Sequence, residues 1–315
     1  MIEVLRAHRR IAPYVRRTPL IQSAWLSDLS GAFVTLKAES QQVSNSFKSR
    51  GAFNAVLGRL ERPGGPPSRL VTASAGNHGR ALAAAARTFG LPLVVFTPAD
   101  APAAKLTAIR RDGADLRADG RDYDEAERMA KAFARETGAE FISPYNDADV
   151  IAGAATVALE MFEDDASLDA LVVPIGGGGL ISGMAMVAKA IAPGCAVIGV
   201  EVEASNAFQQ SMRAGKLIEI VPGASLADGL GGNPDPDTIT FALIQQFVDR
   251  IVTVSEDDLA RAIGGLIEAE HLVAEGAGAA ATAALVGRRV DLRDQHVGVV
   301  VSGSNIDRAR LAALL

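Results

Sequence analysis

ALVVPIGGGGLISGMAMVAKAIAPGCAVIGV, residues 170–200, decides the fold class. The apolar run Ala170–Val173 lacks polar alternation, so a strand there would be buried on both faces. Gly176–Gly179 turn the chain into a helix expected over Ile181–Ile191, and Val197–Val200 is a second continuous apolar strand. A strand, a helix and a strand of this kind form the unit of a parallel sheet covered on both sides. The same alternation continues outward. Further strands are expected at Phe33–Leu36, Leu70–Thr72, Leu93–Phe96 and Val297–Val301, with helical stretches such as Ala81–Phe89 and Tyr123–Glu136 between them. The class is therefore α/β, doubly wound.

The chain has 315 residues, enough for two compact units at about 150 residues each. PGGPP at Pro63–Pro67 reads as a boundary loop, after which a small open sheet is expected from Leu70 to about Tyr145. Hydrophobic residues make up 49% and charged residues 22%, a globular composition. The net charge of −6 and the lack of a basic block exclude nucleic acid as an expected partner. A single cysteine, Cys195, excludes a disulfide framework and suits a reducing compartment. Ile2, Leu5 and Ile11 suggest one face of an N-terminal helix rather than a secretion signal. No apolar run approaches the roughly 20 residues that span a bilayer, so a cytoplasmic protein with no membrane partner is expected.

Three segments carry chemistry. In Ser44-Asn45-Ser46-Phe47-Lys48-Ser49-Arg50-Gly51-Ala52, Ser46 is a candidate N-cap that places Lys48 in the first turn of a helix. The helix macrodipole there would lower the amine's pKa and favour the neutral form that Schiff-base chemistry needs. A solvated first-turn lysine has the same local sequence. Thr72-Ala73-Ser74-Ala75-Gly76-Asn77-His78-Gly79 joins a strand to a helix, where small residues let backbone N–H groups converge on an anion, with Asn77 and His78 adding side-chain donors. An ordinary βα turn would look alike. Gly176-Gly177-Gly178-Gly179 costs roughly 0.5–1 kcal/mol per glycine relative to alanine in regular structure, so a guest such as phosphate must approach the backbone.

Gly177-x-Gly179-x-x-Ser182 also comes near a dinucleotide fingerprint, with Glu201 placed where a ribose-binding acid would sit. A nicotinamide-dependent oxidoreductase is thus an alternative from another class, although it leaves Lys48 and Asn77 without a task. Ser302, after Val299-Val300-Val301, would project at a strand's carboxyl end, where ligands of open α/β sheets bind. Asp228 and Glu275 are acids in small-residue turns. His8, His78, His271 and His296 have no ligand-spaced partner, so no metal cluster is expected.

In this order, from Thr18-Pro19-Leu20 to Ser302-Gly303-Ser304-Asn305, the segments resemble the fold type II pyridoxal-phosphate enzymes, closest to the threonine/serine dehydratases with the serine racemases beside them. The resemblance implies two open, doubly wound, mostly parallel sheets of the tryptophan synthase β kind. It divides the chain into a large cofactor-binding domain, 1–60 plus 147–315, and a small substrate-binding domain, 61–146. Lys48 would carry pyridoxal 5′-phosphate and move the Cα proton, with Phe47 against the pyridine ring and Asn77 on its 3′-oxygen. Gly176, Gly177, Gly178, Gly179 and Leu180 would hold the phosphate, Ser302 would face the ring nitrogen, and Glu275 would line the cofactor. Ser74, Ala75, Gly76, Asn77 and His78 would take the substrate carboxylate, with Asp228 nearby.

The implied reaction is β-elimination of water from L-threonine or L-serine to a 2-oxo acid and ammonia, in a homodimer or larger assembly. A 3-hydroxyaspartate ammonia-lyase, a serine racemase and a non-catalytic amino-acid-binding relative stand beside it. Racemases place a serine directly before Gly-Asn-His, and here that residue is Ala75. Cation-binding relatives pair a glutamate matching Glu201 with an aspartate whose place is Ala207, so weak or no Mg²⁺ or Ca²⁺ dependence is expected. Arg80 stands where glutamine is usual, Asn45 where glycine is common, and Ala154-Ala155 replace Gln-Gly.

Overall fold

A computed structural model describes residues 1–99, 101 and 103–315. Its strands are β1 (Leu20–Gln22), β2 (Phe33–Lys37), β3 (Leu70–Ala73), β4 (Leu93–Pro98), β5 (Asp115–Gly120), β6 (Glu140–Phe141), β7 (Ala170–Pro174), β8 (Ala196–Val202), β9 (Arg250–Val254) and β10 (His296–Val300). The α-helices are α1 (Ile2–Ile11), α2 (Ala24–Ser30), α3 (Lys48–Leu60), α4 (Asn77–Thr88), α5 (Ala103–Arg111), α6 (Tyr123–Thr137), α7 (Ala148–Asp164), α8 (Gly179–Ile191), α9 (Ala207–Ala214), α10 (Ile239–Phe247), α11 (Glu256–Glu268), α12 (Gly276–Val286) and α13 (Arg308–Ala312).

Two sheets result, in strand order β1-β2-β10-β7-β8-β9 and β5-β4-β3-β6. Every pairing is parallel except that of β1 with β2 at the edge of the larger sheet. The alternation of a strand explains the apolar runs. Val172 faces a core with α2, α11 and α12, whereas Leu171 and Val173 face one with α7, α8 and α10. In the smaller sheet Leu70 and Val95 pack with α3 and α4, and Val71 and Val94 pack with α6. Caps set several helix ends: Asp122 and Asp147 accept first-turn N–H groups, and Ser255 with Asp258 forms a capping box.

Some expectations change. The buried face of α1 is Val4, Ala7 and Ile11, while Ile2 and Leu5 are exposed. The helix after the glycines begins at Gly179, two residues before the expected Ile181, and the helix expected from Ala81 begins at Asn77, four residues early. Four strands carried no apolar run long enough to be read: β1, β5, β6 and β9.

Arg50 belongs to the frame rather than the chemistry. Fully buried, it donates to Glu39 at 2.8 and 2.9 Å and to Glu160 at 2.6 and 2.8 Å. Lys37 completes the cluster, donating to Glu160 at 2.7 Å. Two cations and two carboxylates thus balance in the interior and pin the start of α3 to β2 and α7.

Candidate active site

The sheets direct the carboxyl ends of β3, β7 and β10 toward one cavity of about 430 Å³. Lining it are Phe47, Lys48, Ser74–His78, Gly176–Leu180, Asp228, Glu275 and Ser302. Residues separated by hundreds of positions become neighbours through backbone bonds. Phe47 N donates to Ser302 O at 3.1 Å, and Ser46 bridges to Gly303, so Lys48 begins its helix beside the end of β10.

Lys48 Nζ donates to Pro144 O at 2.8 Å and lies 5.0 Å from the Phe47 ring centroid. Lys48 is half-buried, but the surface it retains faces the cavity. Protein packed around the amine lowers its pKa from 10.5 to about 8. The lowered pKa expected for this amine is present, and burial is a cause of it beyond the helix end that Lys48 opens. Ser46 is no side-chain cap either: the residue before α3 is Phe47, and the buried Ser46 Oγ makes no hydrogen bond among the described residues.

Gly178 precedes α8 at φ +84°, a left-handed conformation natural to glycine, and offers no side-chain cap. The first N–H groups of α8 therefore lack intrahelical partners. At Gly177 a Cβ would stand 2.2 Å from the Tyr145 ring, so any side chain would collide with that wall. The Tyr145 hydroxyl accepts from Asp235 N at 3.0 Å, which holds the ring in place.

Across the cavity, Gly76 precedes α4, also with no side-chain cap, leaving first-turn N–H groups for an anion. The side chains of this turn are differently employed from the expectation. Ser74 Oγ accepts from Gly76 N at 3.2 Å. Asn77 Nδ2 donates to Glu275, and Asn77 Oδ1 accepts from Asn305 Nδ2 at 2.6 Å. His78 is buried, with Nε2 3.4 Å from Ile142 O and Nδ1 without a partner among the described residues. Burial, with Lys48 assisting, pushes its pKa down to about 3, so His78 is a neutral wall residue and not a cationic donor. Ser302 Oγ donates to Ala277 O at 3.3 Å. Asp228 stands at the rim, 3.4 Å from Arg310 Nη1.

Glu201 is absent from the cavity wall. It is buried in β8 and accepts from Phe208 N at 2.9 Å and Gln209 N at 2.7 Å, opening α9. Burial raises its pKa to about 7. Each of its oxygens accepts one backbone N–H, and it does not line the cavity, so the arrangement gives the ribose-binding alternative no support. Among the described residues no group of three or more His, Cys, Asp or Glu is arranged to hold a metal.

The sequence reading missed Pro144, Tyr145, Tyr123 and the 229–234 segment, which complete the wall. Ser143-Pro144-Tyr145-Asn146 follows β6, a strand of two residues with no hydrophobic signature. What is assembled fits an aldehyde-bearing anionic cofactor. A partly neutral amine can form an imine, and two uncapped helix N-termini can each take an anion.

Comparison with known proteins gives a concordant result. Residues 11–303 match the family described as pyridoxal-phosphate dependent enzyme. The L-threonine ammonia-lyase of Thermotoga maritima is 40% identical over 97% of this chain and 75% of its own. The L-threo-3-hydroxyaspartate ammonia-lyase of Saccharomyces cerevisiae is 38% identical over 99% of this chain and 95% of its own. Maize serine racemase superposes with a TM-score of 0.93 at 32% identity, covering 99% of this chain and 95% of that one.

Proposed function

The chain belongs to the pyridoxal-phosphate dependent enzyme family, and on that premise we propose that it removes water from a small L-β-hydroxy amino acid, threonine or serine, releasing a 2-oxo acid and ammonia. The observation that carries the reading is the juxtaposition of the Lys48 amine, at a pKa of about 8, with the glycine-lined start of α8 in one cavity. When bound, the cofactor supplies an aromatic electron sink that acidifies the Cα–H of an attached amino acid.

This chain's own residues do the rest. Lys48 would hold the cofactor and, once released, take the Cα proton, since its neutral fraction is substantial near pH 8. Backbone N–H groups from Gly176 to Leu180 would hold the phosphate. Those at Ser74–His78 would fix the substrate carboxylate. Phe47 would pack on the ring, and Asn77 Nδ2 would donate to the ring oxygen. Ser302 would present a neutral hydroxyl, not a carboxylate, to the ring nitrogen, which keeps the sink moderate and suits prompt elimination. Loss of water then leaves an enamine that hydrolyses to the 2-oxo acid and ammonia.

Elimination is favoured over racemisation by the turn before α4. Inversion needs a second proton donor opposite Lys48, and Ala75 has no titratable atom. Ser74 is a poor substitute, because side chains of neighbouring residues in an extended turn point different ways. The two-part division, 61–146 around the smaller sheet and 1–60 with 147–315 around the larger, belongs to the same proposal. The apolar face of α3 joins the smaller sheet's core and links the two. A cytoplasmic homodimer or tetramer is proposed as well, on the lone buried Cys195 and the family resemblance.

The test is borohydride reduction of the cofactor-loaded protein, followed by peptide mapping and a panel of L-threonine, L-serine and L-threo-3-hydroxyaspartate scored for 2-oxo acid. Label on Lys48 and turnover of the first two are expected. Label on another lysine, or no 2-oxo acid from any of the three, would refute the assignment.

A further inference from the structure

Four side chains form a one-way hydrogen-bond chain that runs from behind the cavity wall into it, Asn77 and Glu275 lining the cavity. Arg80 Nη1 donates to Asn305 Oδ1. Asn305 Nδ2 donates to Asn77 Oδ1 at 2.6 Å and to Ser44 O at 2.9 Å. Asn77 Nδ2 donates to Glu275 Oε1. Arg80 and Asn77 lie in α4, one turn apart, whereas Asn305 follows β10 and Glu275 precedes α12. The chain therefore ties the helix of the smaller sheet to two loops of the larger one. Through Ser44 it also touches the segment just before Lys48.

A carboxamide can stand either way round, and its neighbours decide which. A guanidinium only donates and a backbone carbonyl only accepts, so Arg80 on one side and Ser44 O on the other set the oxygen of Asn305 toward Arg80, where Asn45 Nδ2 also donates at 3.4 Å, and its NH2 toward Asn77. The oxygen of Asn77 is then turned away from the cavity and its NH2 toward it. Glutamine at position 80, the residue usual in the resembling family, could offer either end; arginine cannot. The close fit of Gly303, where a Cβ would stand 2.4 Å from Glu275 Oε1, leaves the chain room to close.

We propose that Arg80 and Asn305 are positioning residues for this cavity: Arg80, opposite Ser44 O, holds the orientation of the Asn305 carboxamide, and Asn305, opposite Glu275, holds Asn77 with Nδ2 as a donor on the cavity wall. The inference rests on the reading that the cavity takes pyridoxal 5′-phosphate with a ring oxygen near Asn77, and goes beyond it in assigning what sets that donor.

The experiment compares Arg80→Met, Arg80→Lys and Asn305→Asp as holoenzymes. It reads the visible absorption spectrum of bound cofactor, the dissociation constant for pyridoxal 5′-phosphate, and far-ultraviolet circular dichroism. Arg80→Met should alter the ratio of the cofactor's absorption bands and weaken its binding roughly threefold to tenfold, the worth of about one hydrogen bond. Arg80→Lys keeps a donor and should restore both. Asn305→Asp keeps an acceptor for Arg80 but turns its second oxygen on Asn77 and Ser44, so it should reproduce the Arg80→Met spectrum. If Asn305→Asp does not fold, the Met and Lys pair decides. A folded Arg80→Met with the wild-type spectrum and affinity, or Arg80→Lys no better than Arg80→Met, overturns the proposal and leaves the function reading intact. Wild-type protein that takes up no pyridoxal 5′-phosphate sinks both.

Discussion

Lys48→Met should stabilise the cofactor-free protein at neutral pH, although it removes the residue the chemistry needs. The packed surroundings that lower the Lys48 pKa from 10.5 to about 8 do so by penalising its charged form. At about 1.36 kcal/mol per pKa unit, that penalty is roughly 3 kcal/mol in the folded state below pH 8. Methionine fills similar volume without charge. Losing the bond to Pro144 O costs about 1–2 kcal/mol of this gain, so a net stabilisation of about 1–2 kcal/mol is expected at pH 7.

The sign with pH follows from proton counting. Between pH 8 and 10.5 the unfolded chain keeps a proton on this lysine that the folded chain has lost, so wild-type stability rises with pH across that window. The variant has no such dependence. Its advantage is therefore full below pH 8 and gone above about 10.5. Urea denaturation of both apo-proteins at pH 7 and at pH 9.5 measures it, the other titrating groups cancelling in the difference. A variant less stable than wild type at pH 7, with a difference that does not change with pH, would refute the burial account of this amine.

Other outcomes follow from the same geometry. Arg50→Met leaves Glu39 and Glu160 buried with too little positive charge and should cost about 3–5 kcal/mol by denaturant titration; a loss below about 1 kcal/mol would contradict the buried-cluster account. Gly177→Ala drives a methyl group into the Tyr145 ring, so the loop must shift; stability should fall by about 1–3 kcal/mol and cofactor binding by at least about tenfold, and cofactor affinity at the wild-type level would argue against the phosphate assignment. Ala75→Ser should add measurable D-serine to incubations with L-serine, read by chiral chromatography; wild-type protein already forming D-serine as fast as pyruvate would defeat the lyase reading. Chelator treatment should cost little or no turnover, because position 207 beside Glu201 is alanine and supplies no second carboxylate; a large loss restored by Mg²⁺ would refute this.

Much of the site was legible because it lies on local signals. The tetraglycine turn and the Ser74–His78 turn each sit between a continuous apolar strand and a small-residue helix, and Ser302 ends another such strand; these strand ends are where open α/β sheets bind ligands. Glu201, which the sequence offers only as a ribose-binding acid or an incomplete cation ligand, does not line the cavity. A strand-end acid can face a ligand or cap the next helix, and spacing does not distinguish the two. Tyr145 left no trace, since its strand β6 is two residues long and its role comes from lying across Gly177.

The sequence by itself determined the α/β class, the six apolar strands it could show, the lysine, and the glycine loop. These depend on residue type and spacing over a few turns of chain. Tertiary structure alone decided that burial lowers the pKa of Lys48, that Arg50 and Lys37 are buried against Glu39 and Glu160, and that Arg80 reaches Asn77 through Asn305. Each depends on groups brought together from separate segments of the chain. Desolvation and hydrogen-bond direction are properties of that meeting, and no stretch of sequence contains them.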